Sequence, residues 1–187
     1  GAIALAAASD GFVEARHSND EYLEKVLHID PAQVEEQPRL TMLAHSYGTP
    51  TLATALTLTR HRASAAILYG TVGVPADRVP DAAAMNVDRD ADGEPQVYAT
   101  VAATDHIASV LGNWAMPLRE NPPRVVPTER EFGAKAFSSD GDGSSPGAAT
   151  TSHGMIEGRD NRLEENHADT KYGYLEEGSQ SQHTILK

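Results

Sequence analysis

The segment Leu43-Ala44-His45-Ser46-Tyr47-Gly48-Thr49 constrains this chain more than any other. It sets a serine between two small residues, Ala44 and Gly48, in the pattern small-x-Ser-x-small. An apolar run, Leu40-Thr41-Met42-Leu43, leads into it, and Thr49-Pro50 behind it reads as a helix start, with Thr49 as N-cap and Pro50 at the first helical position. A strand that turns sharply into a helix at a serine is the geometry that lifts a hydroxyl off a sheet edge. Small residues two before and two after let the neighbouring backbones pass, and the helix N-terminus aims its free amides at developing negative charge. The pattern therefore predicts a nucleophilic serine, Ser46, with the Tyr47 N–H as an oxyanion donor.

The rest of the chain supplies the frame. After the segment that starts at Thr49 and reads as helical to about His61, a strand is predicted at Ala65-Ala66-Ile67-Leu68-Tyr69, stopped by Gly70. A loop-rich stretch with Pro75 and Pro80 separates it from a further strand, Gln96 to Ala103. Strand, helix, strand, long connection, strand is the rhythm of a parallel α/β sheet flanked by helices. Ahead of the serine, residues 1–39 read as a helical lead-in: an Ala-rich stretch from Ala2 to Arg16, then a second helix from Asn19 to His28 with Asn19 as its cap. Residues 138–154 have a loop composition, with Ser138 to Gly147 expected to be mobile. His183 to Lys187 reads as the opening turns of a helix.

Composition narrows the chemistry. The chain has 187 residues and no cysteine, which removes thiolate nucleophiles, disulfides and zinc–thiolate sites. Its net charge of −12, from 27 acidic against 15 basic residues, argues against a nucleic-acid surface or an anionic membrane. No apolar run approaches the ~18 residues that span a bilayer. The first residues lack the basic region of a signal peptide, so none is expected there and a cytoplasmic location is slightly favoured over secretion. Asp88-Arg89-Asp90-Ala91-Asp92-Gly93 has the opening spacing of a calcium loop, but Ala99 falls where the bidentate carboxylate belongs, so it reads as a solvated acidic turn. No cofactor is implied.

In chain order an acid and then a histidine should follow the serine. Asp105 lies just past the apolar run Val97 to Ala103 that ends this strand, at the carboxyl end where such sites assemble, and it is also suited to cap a helix starting at His106. His153, His167 and His183 all follow it, whereas His106 is too close in the chain to bridge Asp105 and Ser46.

The run Leu40 to Thr49 resembles the elbow of a bacterial family of α/β-hydrolases of unassigned substrate. The likeness continues through Ile67 to Gly73, Val97 to Asp105, Phe132-Gly133-Ala134, and His167-Ala168-Asp169 with Tyr172 or Tyr174. It implies an α/β-hydrolase-like parallel sheet forming a single, partial domain over residues 1–187. Carried over by position, it makes Ser46, Asp105 and His167 a triad cleaving a small-molecule ester or amide. Such a fold has further strands before its elbow, here expected to be missing. A partner chain or an N-terminal segment would then complete the sheet, or the chain would serve as an inactive binding or structural subunit, or as one product of a cleaved precursor.

Overall fold

A computed structural model describes residues 1–28, 39–108, 123–156 and 171–187. The chain starts with one long helix, α1 (Ala2–Leu27). The two helices predicted there are continuous: Ser18 bonds back to the Glu14 carbonyl at 3.1 Å, and the polar His17 and Ser18 are absorbed as helix surface. Ala6, Ser9, Asp10 and Val13 form its buried stripe at helical spacing.

The central sheet comprises β1 (Thr41–His45), β2 (Ala65–Tyr69), β4 (Val97–Thr100) and β6 (Lys135–Ala136), in the order β1-β2-β4-β6 with every neighbouring pair parallel. The helix α2 (Gly48–Leu56) connects β1 to β2. A minor antiparallel pair, β3 (Val74–Pro75) with β5 (Arg124–Val125), lies beside it. The described part of α3 is His106–Ala108, and α4 (Gln180–Ile185) closes the chain, capped by Ser179, whose hydroxyl accepts the Gln182 N–H. Among the described residues no helix is long and apolar enough to cross a membrane.

Alternation along the strands builds a core on each face of the sheet. Ala66, Leu68, Val97 and Ala99 face the larger cluster, with Leu52, Ala53 and Leu56 of α2. Ile67 and Tyr69 point to the other face, where Ala102 and Tyr174 join them. That second face carries the candidate site.

Differences from the sequence reading are local. Helix α2 begins at Gly48 and ends at Leu56, short of His61. Thr49 is not its N-cap. It lies inside the first turn, Tyr47 being the cap, and donates its hydroxyl to the Ser46 carbonyl at 2.7 Å. The strand expected over Gln96 to Ala103 is confined to Val97–Thr100, and β6 is too short to show a period-two pattern. In the acidic turn Asp90 accepts the Asp92 and Glu94 N–H groups and receives the Lys135 ammonium at 2.6 Å. Among the described residues no cluster of three His, Cys, Asp or Glu could hold a metal.

Candidate active site

Ser46 sits at the end of β1 with φ +52, a left-handed backbone that an L-residue adopts only under constraint. The constraint is visible on both sides. The Ser46 N–H donates to the Tyr69 carbonyl at 3.2 Å, extending the β1–β2 ladder, and the Ser46 carbonyl accepts the Thr49 N–H at 3.0 Å as α2 begins. Ala44 and Gly48 face each other across the turn; a Cβ on Gly48 would lie 3.8 Å from that of Ala44. Ordinary contact at that separation explains why alanine suffices at the first small position. Tyr47 follows at the mouth of the helix, 60% exposed, with the Arg124 guanidinium 5.5 Å from its ring centre.

Asp105 comes from the loop beyond β4 and is buried. Its Oδ1 accepts the Ala108 N–H at 2.9 Å, so it does cap the turn that follows. The same carboxylate also faces a ring: His153 Nδ1 lies 2.8 Å from Oδ2 and 3.0 Å from Oδ1. On its far side, His153 Nε2 is 2.6 Å from Ser46 Oγ. Since the carboxylate can only accept, Nδ1 carries the proton, which leaves Nε2 to accept from the Ser46 hydroxyl. Ser46, His153 and Asp105 thus form one hydrogen-bonded line.

His167, the histidine that the family resemblance placed here, lies outside the described residues. The position between Ser46 and Asp105 is filled by His153. Of the remaining candidates, His183 is exposed on α4, and His106 is exposed beside the acid it was judged too near to serve.

Two aromatic groups complete the site. The Tyr174 hydroxyl donates to Asp105 Oδ2 at 2.8 Å and accepts the Ala102 N–H at 2.9 Å, with the ring fully buried. Burial first, and the nearby Asp105 carboxylate second, push its phenol well above the ordinary tyrosine range, so it stays a donor. His45 stacks on Tyr69 with ring centres 5.2 Å apart and approaches the His153 ring at 4.8 Å. Burial holds His45 below the usual histidine value, against the opposing pull of its bond to the His153 carbonyl and of the Asp105 charge. The role of Tyr174 had only a trace in the sequence, as one of two tyrosines in the family likeness; that of His45 had none beyond its place in the elbow.

His153 rides on irregular backbone, which is nonetheless tied down. Gln180, fully buried, donates to Asp142 and to the Ser145 carbonyl and accepts the Gly141 N–H. Closer to the ring, the Gly154 carbonyl accepts the Tyr174 N–H at 3.0 Å and the Met155 carbonyl accepts the Leu175 N–H at 2.8 Å. Gly173 permits that approach, since any Cβ there would run into the Met155 carbonyl. A separate cleft of about 490 Å³, lined by His17, Arg39, Arg62, Asp88 and Arg89 among others, lies toward the opposite ends of the strands and takes no part in this arrangement.

Residues 13–115, more than half of the chain, match the model of a family described as Alpha/beta hydrolase. No curated protein matches, and no solved structure does.

Proposed function

The chain belongs to the alpha/beta hydrolase family, and from that premise we propose that it is a serine hydrolase cleaving an ester or amide by acyl transfer. One observation carries this reading: a single imidazole, His153, within 2.6 Å of Ser46 Oγ and 2.8 Å of an Asp105 oxygen. Ser46 attacks the substrate carbonyl while His153 Nε2 takes its proton. The tetrahedral oxyanion forms against the Tyr47 N–H at the start of α2. His153 then hands the proton to the leaving group, and water releases the acyl group by the same steps in reverse order. Asp105 keeps the ring in the Nδ1–H tautomer and stabilises the imidazolium that forms, and Tyr174 and the Ala108 N–H hold the carboxylate in place. His153 takes the role that the sequence reading gave to His167.

The test is capture by a fluorophosphonate probe. The wild-type chain should label at one site, and Ser46→Ala should abolish labelling without loss of fold. Labelling that persists in Ser46→Ala would overturn the assignment.

A second reading has its own observation. β1 is the end strand of the sheet among the described residues, and Leu43 on it is 45% exposed. An edge of this kind accepts a further strand, which favours a chain that works together with another segment or subunit. Sizing chromatography of the purified chain separates the two, because the second reading requires a co-purifying partner or a self-associated species and the first does not.

A further inference from the structure

We infer that His45 is a positioning residue for the base: its Nε2–H, donated to the main-chain carbonyl of His153, fixes where that imidazole sits over Ser46. This rests on the acyl-transfer reading and extends it to a residue that touches neither substrate nor the reacting atoms.

The argument starts from the strand. Successive residues of β1 face opposite sides, so Ala44 packs into the core beneath α2 while His45 is turned to the face that holds Tyr69, Tyr174 and His153. His45 Nε2 lies 2.5 Å from the His153 carbonyl oxygen. A carbonyl only accepts, so Nε2 bears the proton. The bond spans 108 positions of sequence and joins the residue before the nucleophile to the residue that carries the base.

The need for such a tie follows from the backbone on the other side. Ser46 is held by a strand ladder and a helix start, but His153 belongs to no helix or strand. Its ring is oriented at Nδ1 by Asp105, and the Gly154 and Met155 carbonyls tie the backbone just beyond it, but those bonds do not act on the main chain of residue 153 itself. The His45 bond fixes the second point, on the main chain of the same residue. His45 is itself immobilised by its stack on Tyr69. Gly70, which has φ +56, makes room for it, since a Cβ there would come within 3.1 Å of the imidazole. The titratable groups facing His45 are the Tyr69 and Tyr174 phenols, the His153 ring and the Asp105 carboxylate. Burial lowers the pKa of His45, against its bond to the His153 carbonyl and the Asp105 charge, and so disfavours a second positive charge beside His153.

Two substitutions separate the donor from the ring. His45→Phe keeps an aromatic face against Tyr69 and loses the N–H. His45→Gln loses the ring and keeps an N–H at similar reach. A displacement of about 1 Å in a reacting group can cost about a hundredfold in rate, so His45→Phe should lose about that factor in kcat toward a small activated ester with KM nearly unchanged. His45→Gln should recover most of it. Full kcat in His45→Phe, or a His45→Gln variant no better than His45→Phe, would overturn the inference. His45→Met serves as a second donor-free variant should His45→Phe not fold.

A readout independent of turnover is the NMR resonance of the His153 Nδ1 proton. It should be sharp in the wild type and in His45→Gln, and exchange-broadened in His45→Phe; an unchanged signal in His45→Phe also overturns the inference. If the wild type shows no Ser46-dependent labelling, the acyl-transfer reading fails by itself, and the resonance still decides whether His45 positions the ring.

Discussion

Replacing Tyr174 by Phe removes one oxygen and nothing else, which makes its cost calculable. The ring keeps its contacts with Ile67, Tyr69 and Ala102, so no cavity opens. Two hydrogen bonds disappear: the donation to Asp105 Oδ2 at 2.8 Å and the acceptance of the Ala102 N–H at 2.9 Å. A hydrogen bond to a charged partner contributes about 1.5–3 kcal/mol, and Asp105 retains His153 and the Ala108 N–H, so the lower end applies. Ala102 is fully buried, and leaving its N–H without a partner costs about 1–3 kcal/mol. Together these give about 3 kcal/mol. Urea unfolding followed by far-UV circular dichroism reads this directly. With a slope of about 2 kcal/mol per molar, the midpoint should fall by about 1.5 M while the slope stays constant, because no additional surface is exposed. A midpoint within about 0.3 M of wild type would refute the claim that this hydroxyl is what anchors the Asp105 carboxylate.

Three further outcomes are expected. Ser46→Gly should be more stable than Ser46→Ala by about 1 kcal/mol, the reverse of glycine's usual penalty, because only alanine keeps a Cβ in the left-handed backbone; thermal melting of the pair checks it. Gly70→Ala should cost about 2 kcal/mol and slow probe capture as well, since its Cβ would stand 3.0 Å from the Tyr174 ring and 3.1 Å from His45 at a φ of +56. Asp10→Asn should cost about 2 kcal/mol at neutral pH. Burial alone would raise the Asp10 carboxyl, but the N–H groups of His61 and Arg60 and the Arg60 guanidinium outweigh it and hold the group below its ordinary value. A depressed carboxylate contributes its stability in full above the unfolded value and loses it as pH falls through the folded one. The gap between wild type and Asp10→Asn, measured by denaturant melts across pH, should therefore close below about pH 4.

The turn from strand to helix at Ser46 was legible because its signal is local. A strand, a serine between small residues and a helix start lie within ten consecutive positions, and Ser46 adopts the strained backbone that pattern demands. The parallel sheet was legible through β2 and β4, whose apolar runs end at Gly70 and ahead of Asp105. The imidazole beside Ser46 was harder to read. His153 is carried by Ser, Thr and Gly backbone with no periodicity, and what fixes it comes from Gln180, Gly173 and Tyr174, as well as from Asp105 itself. None of those contacts leaves a mark near residue 153 in the sequence. Tyr174 and His45 were missed for the same reason: their partners, Asp105 and the His153 carbonyl, are 69 and 108 positions away. The long α1 was read as two helices because its polar middle resembles a cap, whereas packing of Ala6, Asp10 and Val13 on one face carries the helix through.

The central claim is that Ser46, His153 and Asp105 act as one catalytic unit. Turnover of an activated ester by His153→Ala and His167→Ala, measured side by side on folded protein, tests it most directly. The account predicts that His153→Ala loses at least about a thousandfold in kcat while His167→Ala stays near wild type. Wild-type turnover in His153→Ala, or a loss of that size in His167→Ala alone, would contradict it.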